Sequence, residues 1–444
     1  MIRRLLRILA LFAAIVAVVA IAVLAWLVRA PGPMAFAGDR PVALADYKAS
    51  DPTGVPASLA KASLIQRGEY LARAADCMAC HTRPGGTPYA GGRGFALPFG
   101  TLYSTNITSD PETGIGRYTD AQFLAALHRG TRRDGQPLYP AMPFTAYALM
   151  TDADALAIKA YLFSLPPVRS PAVANTLGFP FDRRGLMRMW SGLFASRKAF
   201  TPYPGRSPQW NRGAYLAEGL AHCGECHTPR NLAFALDNRH KFAGALTAGW
   251  QAHNITADRA SGLGGWSDAD LARYLAQGFA PGHGVAAGPM GEAVDLGLRF
   301  LTPEDRAALV VYLRTVPAIA NVPARIASAA DDLPAASASP GEATFAASCA
   351  GCHEWSGGGL MDPFAQLTGI RTVNDPSGAN VAQVVIAGVH RDRASGLPRM
   401  PAFGAAYSDR EIADLANYVA QRFGHQAPGL TEKRVKALRD AAGE

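Results

Sequence analysis

The stretch Ala75-Asp-Cys-Met-Ala-Cys-His-Thr82, ADCMACHT, places two cysteines and a histidine within five residues. Cys-x-x-Cys alone fits a redox pair, half of a zinc site or chance. A histidine directly after the second cysteine makes it the pattern of covalent c-type haem attachment. Two thioether bonds need sulfurs one helical turn apart on one side of the porphyrin, and the next residue must carry an imidazole that reaches the iron. The pattern recurs as Cys223-Gly-Glu-Cys226-His227 and Cys349-Ala-Gly-Cys352-His353, which uses all six cysteines of the chain. None is left for a disulfide framework, an iron-sulfur cluster or a catalytic thiol. Structural zinc sites pair such knuckles closely, whereas these lie more than a hundred residues apart.

The expectation is therefore three covalently bound haems c. Cys77 and Cys80, Cys223 and Cys226, and Cys349 and Cys352 hold the porphyrins, with His81, His227 and His353 on the irons. The sixth iron position separates an electron carrier from a haem that binds substrate. Each segment offers a methionine beside proline ahead of its last helix: Met142 in Pro140-Ala-Met-Pro143, Met290 in Gly288-Pro-Met-Gly291, and Met400 in Arg399-Met-Pro401. All three are expected in loops. The nearby His283 and His390 leave bis-histidine ligation as an alternative at the second and third centres. Methionine with histidine is the usual cytochrome c arrangement and raises the reduction potential. His128, His222, His240, His253 and His425 have no repeat-wide counterpart and read as solvated surface histidines.

The chain repeats internally. Arg67-Gly-Glu-Tyr-Leu-Ala72 precedes the first motif and Arg212-Gly-Ala-Tyr-Leu-Ala217 the second, and Asn106-Ile-Thr108 returns as Asn254-Ile-Thr256. Thr119 and Ser267 then read as helix N-caps, Thr119 with Gln122 as a capping box. Each segment closes on a further cap, at Thr151, Thr302 and Ser408, with Pro303 at the favoured first position and Glu411 completing a box. Apolar residues at helical spacing follow each one: Ile158, Tyr161, Leu162; Leu309, Tyr312, Leu313; Leu415, Tyr418, Val419. Such stripes pack a closing helix onto an opening one.

At 444 residues the chain should form two to four domains. Ile8 to Val28 is an unbroken apolar run, long enough for the roughly 20 residues that span a bilayer. Arg3, Arg4 and Arg7 precede it, which keeps the N-terminus cytoplasmic and exports the remainder. A cleaved signal peptide ending at Ala35-Phe-Ala37 is the competing reading, although its apolar stretch is normally shorter. The net charge of +8 falls to +5 once the three leading arginines are set aside, and haem propionates would roughly cancel that. The basic residues are scattered and no nucleic-acid motif occurs, which excludes a nucleic-acid binder.

The expected layout is a transmembrane anchor over 1–30, a tether over 31–60, haem domains over 61–168, 207–323 and 341–424, a connector over 169–206, a linker over 324–340 and a polar tail over 425–444. The connector interleaves Met187, Met189, Trp190, Leu193 and Phe194 with Arg183, Arg184, Arg188, Arg197 and Lys198. That pattern suits either an interface or packing on the chain's own domains.

On the stretches YPAMPF (139–144), WNRGAYLAEGLAHCGECHTP (210–229), AAGPMGEAV (286–294) and MPAFGAAYSD (400–409), residues 61–424 resemble the tri-haem cytochrome c subunit of membrane-bound periplasmic dehydrogenases. The resemblance implies a mainly α fold of three tandem class I cytochrome c domains after an N-terminal transmembrane helix. It implies an electron-transfer subunit of the inner membrane, haem domains facing the periplasm, that carries electrons from a catalytic dehydrogenase subunit of molybdenum, PQQ or flavin type to ubiquinone. The N-terminal helix and short tail depart from the alcohol dehydrogenase subunit and turn the expectation toward an aldehyde-oxidising molybdenum complex. A peroxidase-like haem enzyme and a terminal-oxidase cytochrome subunit are the alternatives. On this reading the chain alone turns over no organic substrate.

Overall fold

The computed structural model describes residues 2–195, 198–321, 339–359, 363–389 and 400–442. Arg197, His390 and nearly all of the 324–340 linker lie outside them. Around each cysteine motif the chain builds the same pair of crossed helices. The opening helices are Leu64–Ala74, Pro208–Ala214 and Pro340–Ser348, and the closing helices are Asp152–Ser164, Pro303–Leu313 and Asp409–Gly424. Their caps form where the spacing predicts: Thr151, Thr302 and Ser408 each accept the N–H three residues on, and Glu411 returns the bond to close a box. Each such cap contributes about 0.5–2 kcal/mol.

Glycine sets how closely the helices cross. A Cβ at Gly68 would sit 1.9 Å from the Ala157 carbonyl oxygen, one at Gly213 2.0 Å from that of Ala308, and one at Gly341 2.1 Å from that of Asp414. Only a bare Cα allows this contact. Tyr161, Tyr312 and Tyr418 then lie buried over the crossings, with the other stripe residues.

The first two segments share one hydrophobic core, which runs from Leu71 and Ile158 through Trp210 and Tyr215 to Leu309 and Tyr312. The third has its own, built on Phe345, Ile412, Leu415 and Phe423. Among the described residues strands are confined to three short antiparallel hairpins, of which Gly94–Leu97 with Gly100–Tyr103 and Ala245–Thr247 with Trp250–Ala252 occupy matching places in the repeat.

The second opening helix continues into a π-helical stretch, Tyr215–Leu220. Four residues separate Ala72 from Cys77, but five separate Ala217 from Cys223. A π turn absorbs one extra residue within a helix, so the second motif keeps its place despite the longer lead. The turn also buries Glu218, whose carboxylate receives Lys241 Nζ at 2.5 Å and the Tyr312 hydroxyl at 2.6 Å.

The stretches read as a tether and a polar tail both pack on the rest of the chain. In the tether, Met34 and Ala37 are buried, Phe36 lies against Trp210 and Tyr312, and the Arg206 guanidinium donates to the Ala37 carbonyl. In the tail, Glu432–Ala442 is a helix that buries Val435 and Leu438 in the third core. Both follow from a few apolar residues within otherwise polar or Pro-rich composition. Ahead of the tether, Ile2–Val28 is a helix, largely exposed with Leu27 buried, whose most apolar 18-residue stretch has a mean hydropathy of 3.2. At its end Arg239 lies 4.0 Å over the Trp26 ring and donates to the Trp26 carbonyl.

Candidate haem centres

In all three motifs the histidine ring is oriented in the same way. His81 Nδ1 lies 2.7 Å from the Thr105 carbonyl, His227 Nδ1 2.7 Å from that of His253, and His353 Nδ1 2.6 Å from that of Ala365. A carbonyl oxygen only accepts, so Nδ1 carries the proton and Nε2 keeps its lone pair. Burial also lowers each ring's pKa, which holds it neutral. A neutral imidazole fixed at Nδ1 and open at Nε2 is the state a metal-ligating histidine needs.

The cysteines sit on single helical turns or at their N-caps: Cys77–Cys80, then Gly224–His227 capped by Cys223, and Ala350–His353 capped by Cys349. Burial pushes the Cys77 and Cys223 thiols up to about 12, which keeps them protonated. Among the described residues no three His, Cys, Asp or Glu side chains converge as a metal site by themselves. Paired thiols on one turn with an adjacent oriented imidazole fit covalently attached haem.

The sequence reading missed the carbonyl acceptors, although the repeated Asn-Ile-Thr marks the first two. Asn106 and Asn254 directly follow Thr105 and His253. Asn106 Nδ2 donates to the Val168 carbonyl and its Oδ1 accepts from Thr108 N–H; Asn254 does the same with Ile319 and Thr256. Gly91 and Gly244 bind the histidine's own carbonyl through their N–H, at 2.7 and 2.8 Å. Both have positive φ, and a Cβ at either would collide with the backbone that supplies the acceptor. These clamps hold the Nδ1 acceptors in place.

The three methionines occupy different local structures. Met142 lies in a turn, its carbonyl accepting from Phe144 N–H, and packs half-buried against the shared core. Met290 is not in a loop but in the first turn of the helix Gly288–Leu296, with Pro289 at a position the helix start favours. Met400 is held by a two-way backbone bridge to Val389 and packs on the third core. His283 stacks on Trp266 with ring centroids 3.7 Å apart and turns Nε2 toward Asp270.

The histidines without repeat counterparts are not all solvated. His240 is exposed, but His253 is half-buried, its pKa pushed down to about 3 by burial and by the Arg371 charge. His222 packs edge-on against Tyr147, and His128 lies within 3.4 Å of Asp152. The connector folds onto its own chain through the helix Leu186–Phe194: Trp190 Nε1 donates to the Ala233 carbonyl, and Arg184 and Arg188 donate to those of Pro137 and Gly135.

The first two centres lie back to back. The Tyr147 hydroxyl, in the turn after Met142, donates to the Ala75 carbonyl, and Thr145 beside it reaches Glu225 of the second motif. In the other direction Glu292, on the Met290 helix, pairs at 2.8 Å with Arg93, which donates to the Ala79 carbonyl of the first motif. Burial, with Glu292 adding, pushes the neighbouring Asp76 carboxyl up to about 7.

The chain is similar to known proteins over most of its length. Residues 65–166 match the cytochrome c family, and residues 336–419 match the family described as cytochrome c oxidase, cbb3-type, subunit III. The chain is 39% identical over 418 residues to the fructose dehydrogenase cytochrome subunit of Gluconobacter japonicus, covering 88% of this chain and 85% of that one. It is 36% identical over 435 residues to the gluconate 2-dehydrogenase cytochrome c subunit of Pantoea cypripedii, covering 92% and 93%. A nicotinate dehydrogenase subunit of Pseudomonas putida is 43% identical over 378 residues, which are 84% of this chain but 32% of that longer protein.

Proposed function

Because the chain belongs to the cytochrome c subunits of dehydrogenase complexes, we propose that it is their tri-haem form, carrying electrons from a periplasmic dehydrogenase that oxidises an alcohol, aldehyde or sugar acid to membrane ubiquinone. The observation that carries this reading is the threefold repeat of one arrangement: Cys-x-x-Cys on a turn, and a following histidine bound through Nδ1 to a backbone carbonyl. Bound haem supplies one-electron iron chemistry. The chain attaches it at Cys77 and Cys80, Cys223 and Cys226, and Cys349 and Cys352, and orients His81, His227 and His353 toward the irons.

Met142, Met290 and Met400 complete the ligand sets. His283 is already engaged by Trp266 and Asp270, which favours Met290 at the second centre. Ile2–Val28 is a retained anchor, supported by the packing of Trp26 on Arg239 and of residues 34–37 on the second segment. The relatives are named for fructose, gluconate, nicotinate and alcohol, so the substrate is set by the catalytic partner, where the bond-breaking chemistry resides.

Haem staining with peptide mass spectrometry should find three haem-bearing peptides in the purified chain; two or fewer would refute the tri-haem form. Single Met142→Ala, Met290→Ala and Met400→Ala variants should each keep covalent haem, lower the potential of one haem and let it bind carbon monoxide. A variant whose haems stay low-spin and unshifted would remove that methionine from the ligand set. N-terminal sequencing that begins near Gly38 would replace the anchor by a cleaved signal peptide.

A further inference from the structure

The third segment reaches the backbone that supports the second centre. Asn380 lies in the first turn of the helix Ala379–Ala387. Its Oδ1 accepts from Gln251 N–H at 2.8 Å, and its Nδ2 donates to the Gln251 carbonyl at 2.9 Å. This two-way bond fixes which end of the amide is which, so Nδ2 is also the donor to His253 Nε2 at 3.3 Å. From the other side Arg371 donates to the Asn254 carbonyl at 3.1 Å and to those of Ser261 and Gly262. Between these anchor points lie Ala252 and His253, and the His253 carbonyl holds His227 Nδ1.

The first centre has a matching device from a different source. Tyr103 stands where Gln251 does, two residues before the carbonyl that holds the histidine. Its N–H is taken at 2.9 Å by Asn175 Oδ1, from the connector, and Thr176 pairs beside it with Thr101. In both places an asparagine from outside the hairpin satisfies the edge strand that leads to the histidine's acceptor. Unpaired edge groups leave a short hairpin free to shift.

We infer that Asn380 is a positioning residue for the second centre: the third segment, by docking on Gln251 and His253, holds the carbonyl that orients His227 and thereby sets that centre's potential. This rests on the reading of His227 as an axial ligand. A firm Nδ1–H bond makes an imidazole a stronger donor to its metal, which favours the oxidised iron. Loosening the acceptor therefore raises the potential.

The test uses the full-length, haem-loaded protein and an optical redox titration. Three haems per wild-type chain must be found first; a shortfall there would count against the tri-haem reading and not against this one. Asn380→Leu should raise the potential of one haem and leave two unmoved. Asn175→Leu should raise a different one. NMR should show about tenfold faster exchange of a single Nδ1 proton in each variant, the factor that corresponds to about 1.4 kcal/mol. Gln383→Leu serves as the docking control, because Gln383 bonds the Gly249 carbonyl in the same interface away from His253; it should leave all three potentials in place. If Asn380→Leu loses haem, Asn380→Ser should still give a smaller rise at the same haem. Unmoved potentials in the Asn380 variants, a shift of the same haem by Asn175→Leu, or an equal shift by Gln383→Leu would overturn the assignment.

Discussion

The first two cysteine-bearing segments clasp each other, whereas the third is docked on one side. Tyr70, on the first opening helix, donates its hydroxyl to Asp305 at 2.5 Å and accepts from Thr302 N–H, so it caps the closing helix of the second segment. Tyr215, on the second opening helix, does the same to Asp154 and Thr151 of the first. The exchange is that of a two-fold dimer, in which residue i meets j and j meets i. In the third segment the position two after Gly341 is Ala343, with no hydroxyl to offer. Its Glu411 instead closes its own capping box with Ser408. The third residue of the closing helix therefore serves an interface in two segments and its own helix in the third. A repeat has been turned into a pair by one side chain at one position, and the unpaired copy has kept a self-contained cap.

Asp305→Ala should have the largest effect on this contrast. Asp305 accepts from Tyr70 and also receives Arg212 at 2.8 and 2.6 Å, all nearly out of solvent. Removing it strands a buried guanidinium, a loss of about 3–5 kcal/mol. Calorimetry of the haem-loaded protein should resolve two transitions, one for the shared core of the first two segments and one for the third, since cooperative units follow contiguous cores. Asp305→Ala should lower only the transition of the pair. Three independent transitions, or a shift in the third, would dissolve the contrast.

Tyr70→Phe and Tyr215→Phe remove one hydroxyl each and keep the ring. Each leaves a buried carboxylate and a backbone N–H short of a partner, worth about 1–3 kcal/mol. Because the two bonds close one interface, the double variant should depart from the sum of the singles. Strict additivity in denaturant titrations would mean that the bonds act as separate caps.

Much of this fold was legible because its signals are local. Thr151, Thr302 and Ser408 cap where their spacing says, and Tyr161, Tyr312 and Tyr418 bury where the helical period puts them. The motif histidines stand out in the sequence, but what orients their rings does not. Thr105, His253 and Ala365 act through backbone carbonyls, which side-chain identity does not encode. Asn380 reaches the second site from 129 residues away, beyond any local pattern. The extra residue before Cys223 is visible by counting, yet only the fold says whether a loop or a π turn takes it up. The packing of the tether and tail is not legible because average composition hides single anchors such as Phe36 and Leu438.

Glu411→Ala should give the smallest effect and marks the other end of the comparison. Its carboxylate accepts from Ser408 N–H at 2.8 Å at an exposed helix start, and the hydrogen bonds of the box hold its pKa below the usual carboxylate range. A depressed carboxylate pKa adds stability above its unfolded value and loses it as the pH falls through the folded one. The exposed box leaves that contribution small. The Ser408 side chain still accepts from the N–H of residue 411 after truncation, so only half of the box is lost. The transition of the third segment should shift slightly and that of the pair should not move. A loss approaching that of Asp305→Ala would mean that Glu411 also serves an interface, and the third segment would then be no different in kind from the clasped pair.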